Sequence, residues 1–394
     1  MRKMASIVTI SKITPIEGKD KIVVANFEEN GYNVICSKDF SVGDKVVYCE
    51  VDSILPCGEK FACFEFLKPR CYKEKLEGYL IKNMKMGGIY SNGIIFKTTE
   101  VPIKKSIFSK EWKSGMDLTS QLDVRKYEPE DDASPVQGKK EGKIHKFIRQ
   151  WMMKYSLTRP LAKKMFLKKK IVGGSFPLEH ISKSDEDNIM NNKGWYEKYK
   201  NVPCYVTRKI EGKSVTVINH PTNGLKVFGR NTALYAPAEL AWCEKLCEVL
   251  KNVEKVTGHK YAIQGEFTGN GIQKNIYKIN GYKFWVYKVV DITDGNKILS
   301  KVCMDDFCDK YGLDQVPTVS CFKTLGETFK SLEEMQDYVE HQWFKVATME
   351  DVDDREVSGL KKPEYHRHEG IVVRGMDNEF SFKCKSNEYQ LAGL

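Results

Sequence analysis

The chain has 394 residues, 41% of them hydrophobic and 29% charged, which suits a globular protein of one large or two smaller domains. No run of about 20 apolar residues occurs, which excludes a membrane-spanning helix. The net charge of +10, from 63 Lys and Arg against 53 Asp and Glu, is concentrated. Residues 139–170 hold 12 cations and one acid, so that segment is +11 and the remainder −1.

The start, MRKMASIVTISKI, is basic and then alternates apolar with polar residues. It lacks a small-residue cleavage site, and it predicts a first strand, not a signal peptide. Residues 1–110 continue in short β-like runs such as VVYCEV and GIIF, separated by Gly, Asn and Asp turns. That rhythm suits a small barrel. RKYEPEDDASPVQGKKEGK is polar, contains two prolines and predicts a linker.

The basic segment follows. Its Ile144, Phe147, Ile148, Trp151 and Met152 recur at helical spacing. Its cations, ending in Lys168, Lys169 and Lys170, suit a polyanion such as nucleic acid, because each neutralised phosphate releases a counterion. The plainer alternative is an amphipathic helix with a solvated charged face. From about residue 172 the pattern is mixed. YVTRKI, KSVTVI, KVFGR, YAIQGEF, FWVYKVVDI, GIVVRG and FSFKCK predict strands. APAELAWCEKLCEVLKNV and SLEEMQDYVEHQWF predict helices, the second opening at an N-cap, Ser331, with Glu334 three residues on. Helices do not alternate regularly with strands, which argues against a Rossmann sheet.

Twelve cysteines are scattered without a CxxC pair, which argues against a structural zinc site. Several fall in apolar runs, where free Cys packs as a small hydrophobe. The expectation is reduced thiols in an intracellular protein, cytoplasmic or nuclear, and not a disulfide framework.

The tetrapeptide K-x-E-G occurs three times, at Lys75–Gly78, Lys139–Gly142 and Lys209–Gly212, so by itself it is uninformative. Only Lys209 is followed by an ordered series of further candidates. Gly229-Arg230-Asn231 ends a strand, and Gly265-Glu266-Phe267 lies within one. Phe284-Trp285-Val286-Tyr287 is an aromatic strand, Glu369-Gly370 opens GIVVRG, and Lys383-Cys384-Lys385 closes the series. Period-2 alternation puts Phe380, Phe382 and Cys384 on one face of the last strand and Lys383 and Lys385 on the other. With no adjacent acid, such a lysine pair is costly when unliganded and natural beside a polyphosphate.

This ordered set, KIEG, GRN, QGEF, FWVY, EGIVVR and KCK, resembles the signature of the covalent nucleotidyltransferases: RNA ligases, DNA ligases and mRNA capping enzymes. ASIVTISKITPIEGKDKIVVANF, DFSVGDKVVYCEVDSILP, FEFLKPRCYK and IKNMKMGGIYSNGIIF resemble the N-terminal domain of a group of ATP-dependent, nick-sealing RNA ligases. GGSFPLEHISKSDEDNIMNN resembles that group's segment ahead of the nucleophile. The resemblance implies an α+β chain. An N-terminal OB-type β-barrel (1–128) and a linker (129–142) would precede an adenylyltransferase domain (143–394), an ATP-grasp-like nucleotidyltransferase of mixed antiparallel sheets with flanking helices. Two positions depart from the family pattern. The usual K-x-D-G reads K-x-E-G, and Asn188 stands where an arginine is expected.

The resemblance further implies an ATP-dependent RNA ligase acting in RNA repair. It would seal 3′-hydroxyl to 5′-phosphate ends, as in a nicked duplex, through a lysyl–AMP on Lys209, using Mg²⁺ or Mn²⁺, as a monomer with no membrane partner. Lys209 must be neutral to attack, against an ordinary lysine pKa of about 10.4. Lys383, Lys385, a cation and desolvation would disfavour its charged form. Arg208, Arg230, Glu266, Tyr287, Lys383 and Lys385 would bind the nucleotide, and Glu266 and Glu369 the metal. Tyr287 would stack on adenine, with Phe284 as the fallback on the opposite face. Arg230, Asn231 and Lys168–Lys170 would meet phosphates or the nucleic acid. Capping enzymes and DNA ligases usually carry their OB domain after the twin lysines, where nine residues leave no room for one. The non-enzyme alternative is a nucleic-acid-binding protein with a dead site.

Overall fold

The computed structural model describes residues 3–58, 61, 64, 67, 70–72, 76–100, 112–127, 176–184, 186–231, 233, 243–356 and 363–393. The linker 129–142 and the basic segment with Lys168, Lys169 and Lys170 lie outside the described residues. By internal contacts the chain divides into two units. The first is Met1–Glu130, Asp185–Ile210 and Pro317–Leu394, and the second is Asp131–Ser184 and Glu211–Val316.

The first unit opens with an antiparallel sheet ordered Ile94–Lys97, Lys45–Cys49, Ala5–Ile16, Lys19–Phe27, Asn33–Ser37. Its long first strand serves two ladders. Ala5 to Thr9 pair with Lys45–Cys49, and Ile10 to Ile16 pair with Lys19–Phe27, across a bulge between Ile10 and Lys12. A bulge bends and twists its strand, so this strand turns a corner and the sheet curls. Alternation then feeds two cores. Ile7 joins Val47, Leu55, Phe96 and Leu118, whereas Val8 and Ile10 join Ala25, Phe27 and Val34. This is the barrel-forming layout expected of residues 1–110.

The same unit holds a second five-stranded sheet, ordered Asp187–Asn188, Ser381–Lys385, Gly370–Gly375, Pro203–Arg208, Thr318–Thr324. Pairing is antiparallel except for Asp187–Asn188, which runs parallel to Phe382 and Lys383. Its apolar face, with Val206, Ile371, Val373, Phe382 and Cys384, packs on helix Leu332–His341 through Leu332, Met335 and Val339. Those three sit at helical spacing, and Ser331 caps the helix by accepting from the Glu334 N–H at 3.2 Å. The predicted helix through Phe344 ends earlier, because Gln342–Lys345 is a strand pairing with Asp351–Asp353 and Tyr365–Arg367. Trp343 there stacks under the Arg367 guanidinium at 4.6 Å, a contact made by its strand register.

The second unit is built on an antiparallel sheet ordered Gly224–Phe228, Lys213–His220, Tyr261–Gly269, Tyr282–Asp291, Lys297–Ile298. Helices Glu244–Thr257 and Lys301–Tyr311 cover one face, over Val215, Val217, Ile263, Phe267, Val286 and Val289. The predicted helix starting at Ala236 is described only from Glu244. The fold is therefore α+β, mostly antiparallel sheet with few helices, as expected. Among the described residues no helix is long and apolar enough to cross a membrane. Ten cysteines are described, all free, and six are buried. Burial pushes the thiols of Cys204 and Cys308 up to about 12.

Phe382 is 1% exposed and anchors the face opposite the twin lysines. Phe382→Ala is expected to lower unfolding free energy by about 4 kcal/mol, read by urea denaturation.

Candidate active site

Lys209 lies just past the end of strand Pro203–Arg208, and Glu369 lies just before Gly370–Gly375. Arg208 pairs with Ile371, and the Lys209 N–H donates to the Gly370 carbonyl at 2.8 Å, so the two residues sit side by side where the strands part. Gly370 has φ +148° and is paired with Lys385. A Cβ there would stand 2.1 Å from the Cys384 carbonyl oxygen. Only glycine allows this approach, and it brings the two strand ends together.

Three charges result. Lys209 Nζ lies 2.8 Å from Glu369 Oε2, and Lys385 Nζ lies 3.0 Å from Glu369 Oε1. The carboxylate is nearly enclosed, at 10% side-chain exposure. Burial alone would raise its pKa, but the ammonium groups of Lys209 and then Lys385 outweigh burial and hold it at about 2. The twin-lysine face therefore does have an adjacent acid, which corrects the sequence expectation. Glu369 is 14 and 16 residues away from these lysines in sequence, and the Gly370–Lys385 register brings it beside them. Lys383 shares a face with Lys385 by alternation, pairs with Val372 and is half-buried.

Behind this triangle stands a bracket the sequence did not disclose. Asp351 Oδ2 lies 2.7 Å from an Arg208 Nη, and Asp351 Oδ1 lies 2.6 Å from His368 Nε2. One carboxylate thus ties the residue before Lys209 to the residue before Glu369. Arg208 also donates to the Met349 carbonyl at 2.8 Å, so the guanidinium expected at the nucleotide is engaged with this bracket. Burial would raise the Asp351 pKa, yet His368 and Arg208 keep it below the usual range. His368 is 4% exposed, and burial pushes its pKa down.

Asn188 is buried on the edge strand, beside Lys383 in register. Its Oδ1 accepts from the Met190 N–H at 3.1 Å and caps the short 3₁₀ turn Ile189–Asn191. That is work for a short side chain, which arginine could not do. Nearby in sequence, Glu186 accepts from Arg374, the arginine of GIVVR, at 2.7 Å.

The remaining candidates belong to the second unit. Glu266 pairs with Ser214 and Trp285 in register and, by alternation, faces away from the helix-covered core. The register steps from Gln264–Lys288 to Gly265–Val286, so Tyr287 sits at a bulge, and its hydroxyl lies 2.9 Å from Ser214 Oγ on that same polar face. Phe284 packs in the apolar core against Phe267, which removes it as an aromatic platform. Gly212 of KIEG fits where a Cβ would meet the Phe267 carbonyl oxygen at 2.5 Å and Glu266 Cγ at 2.8 Å. Asn231 Oδ1 accepts from Lys183 at 2.8 Å, and Arg230 is half-buried beside it in sequence.

Two clusters of potential metal ligands occur among the described residues, Glu179/His180/His220 and His341/Asp353/Asp354, and neither contains Glu266 or Glu369. In the first, His220 Nδ1 accepts backbone N–H groups of Thr222 and Asn223, which directs its proton to Nε2. In the second, Arg355 and Arg367 already pair with the aspartates. Glu369, ionised and rich in hard oxygen, has the chemistry for Mg²⁺ or Mn²⁺.

A family model described as RNA ligase matches residues 202–385, and one described as an OB-fold domain matches residues 4–98. Among solved structures, a point variant of Naegleria gruberi RNA ligase with ATP and Mn aligns with TM-score 0.73 at 22% identity, covering 100% of this chain and 98% of that one. A second variant of that ligase, with AMP and Mn, gives 0.72 at 23% over 99% of both chains. The same ligase with PPi gives 0.72 at 23% over 100% and 99%. At such identity the likeness shows the fold. No curated protein sequence matches.

A carboxylate whose pKa is depressed on folding stabilises the fold fully above its ordinary pKa, and that contribution is lost as pH falls toward the folded value. Between pH 4 and 2 the thermal midpoint of the wild type is expected to fall more steeply than that of Glu369→Gln. Asp351→Asn is expected to cost about 1 kcal/mol, discounted for its partial exposure, in the same melts.

Proposed function

We propose that this chain, which matches a family model described as RNA ligase over residues 202–385 and one described as an OB-fold domain over residues 4–98, is an ATP-dependent ligase sealing 3′-hydroxyl/5′-phosphate breaks in RNA. The observation that carries this is the lysine–carboxylate–lysine triangle of Lys209, Glu369 and Lys385. An amine that must be a nucleophile is kept in place, and a second cation stands ready for a phosphate.

The reaction has three steps. Neutral Lys209 Nζ bonds to the α-phosphorus of ATP as the bond to the β-phosphate oxygen breaks, and pyrophosphate leaves with the electron pair. The adenylyl group then passes from nitrogen to an oxygen of the RNA 5′-phosphate. Finally the 3′-hydroxyl oxygen bonds to that phosphorus, its proton is lost, and AMP departs. Glu369 favours the ammonium form of Lys209 at rest, because an opposite charge stabilises the charged amine. A divalent cation held by Glu266 and Glu369 would add positive charge at the phosphates and compete with the ammonium for the carboxylate. Lys383 and Lys385 neutralise charge on the α-phosphate oxygens, Arg230 and Asn231 contact phosphate, and Tyr287 offers its ring to adenine. Arg208 contributes through the Asp351 bracket. Lys168–Lys170 and the OB domain serve the RNA.

The solved relatives with ATP, AMP, Mn and PPi support the choice of nucleotide and metal. Division at 1–128, 129–142 and 143–394, a monomeric state, a cytoplasmic or nuclear location and a nick-sealing repair role complete the proposal.

Incubation with α-labelled ATP or GTP and Mg²⁺ or Mn²⁺, followed by a denaturing gel, tests it. Label from ATP alone is expected, and Lys209→Ala is expected to abolish it. Lys385→Ala should slow labelling by about 10²–10³, the scale for losing one charge-stabilising donor. Label from GTP would indicate capping chemistry, and no label at all a dead site.

A further inference from the structure

A cleft of about 350 Å³ lies within the first unit, and Lys385 forms part of its wall. This volume falls in the range of small-ligand sites, about 300–1,000 Å³. Eight of its 18 lining residues are Asn or Gln, contributed both by the barrel and by the segment around the last strand. Primary amides donate and accept hydrogen bonds without carrying charge. The charged lining residues are two lysines, Lys193 and Lys385, and three acids, Glu333, Asp337 and Glu340. That balance disfavours a polyphosphate such as pyrophosphate and suits neutral hydroxyl-rich or amide-rich groups.

The amides are organised. Asn92 of the barrel donates through Nδ2 to Asn83 Oδ1 at 3.1 Å and to Asn387 Oδ1 at 2.7 Å, which makes a row of three across the cleft wall. Asn387 is fixed in turn by its backbone N–H donating to Glu340 at 2.7 Å, and Ser386 Oγ donates to the same carboxylate at 2.8 Å. Ser386 follows Lys385 directly, so the row is held beside the catalytic strand. Asn83 is 5% exposed, and among the described residues its Nδ2 has no hydrogen-bond partner. A buried donor left unsatisfied is costly, and a hydroxyl entering the cleft would give it an acceptor.

We propose that this cleft seats the sugar and base of an RNA nucleotide flanking the reacting phosphate, and that the Asn83–Asn92–Asn387 row binds its 2′-hydroxyl. The inference rests on the RNA-ligase proposal above. Lys385 links the two places: its amine meets the acid that holds Lys209, while its side chain lines the cleft. A nucleotide with its phosphate at Lys385 therefore directs its ribose toward the amides. The 2′-hydroxyl both donates and accepts, matching an amide row, and it is the group that separates RNA from DNA.

The test uses full-length protein, isolated as the lysyl–AMP form, and nicked RNA duplexes carrying one 2′-deoxy substitution at each nucleotide flanking the nick. Single-turnover sealing is measured. In wild-type protein one deoxy position should slow sealing about tenfold, on the scale of one hydrogen bond. Asn83→Asp keeps the acceptor used by Asn92 but removes the spare donor, and should shrink that penalty to below about twofold. Asn387→Asp, at the other end of the row, keeps its own bond from Asn92 and should reduce the same penalty should Asn83→Asp fold poorly. Equal penalties in wild type and both variants at every position would overturn the cleft assignment alone. Absence of any lysyl–AMP in wild-type protein would overturn the ligase proposal and this inference with it.

Discussion

One buried carboxylate between two ammonium groups organises the first unit's site. Burial at 10% side-chain exposure pushes the Glu369 carboxyl toward its neutral form, and Lys209 and Lys385 overcome that push. The lysines in turn owe their proximity to a single carboxylate. The arrangement is self-consistent only if three strand ends arrive together, and the close approach at Gly370 makes them do so. Backbone sterics and electrostatics thus converge on one point of the sheet.

The Asp351 bracket extends the same logic to the opposite side. Alternation along a strand sends neighbouring side chains to opposite faces. Lys209 and Glu369 face each other on one side, while their predecessors Arg208 and His368 are joined through Asp351 on the other. Two pairs of contacts, one on each face, restrain the strand ends against twisting. The Lys209 amine, on a long flexible stem, is thereby held in one place by the Glu369 carboxylate.

The strands Pro203–Arg208, Lys213–His220, Gly224–Phe228, Tyr261–Gly269, Tyr282–Asp291, Gly370–Gly375 and Ser381–Lys385 were legible because apolar alternation and turn residues mark them locally, whereas Asp187–Asn188, Thr318–Thr324 and Lys297–Ile298 were not. Lys209, Glu266 and the twin lysines stood out as candidates because family order distinguishes them from the two stray K-x-E-G copies. The acid beside Lys385 was not, since nothing in the run FSFKCK announces a carboxylate that arrives through strand pairing. Asp351 was invisible for a related reason: it lies 143 residues from Arg208 and carries no periodic signal. The helix predicted through Phe344 overran because Trp343 and Phe344 extend an apolar helical pattern, while strand pairing with two later segments claims them. Tyr287 against Phe284 was decided correctly as to face, although the bulge at which Tyr287 sits left no trace in the residues themselves.

The thiol lodged between the twin lysines has a chemical corollary. Cys384 is fully buried on the opposite face of its strand, with its sulfur turned to Gln336, and burial pushes its pKa well above that of a free thiol. It is therefore a poor target for alkylating or oxidising agents despite two cations in adjacent positions, which ordinarily would activate it. Electrophilic probes would find the exposed Cys57 and Cys303 instead. The lysine-bearing strand is thereby shielded from oxidative damage without any device beyond the alternation of its side chains.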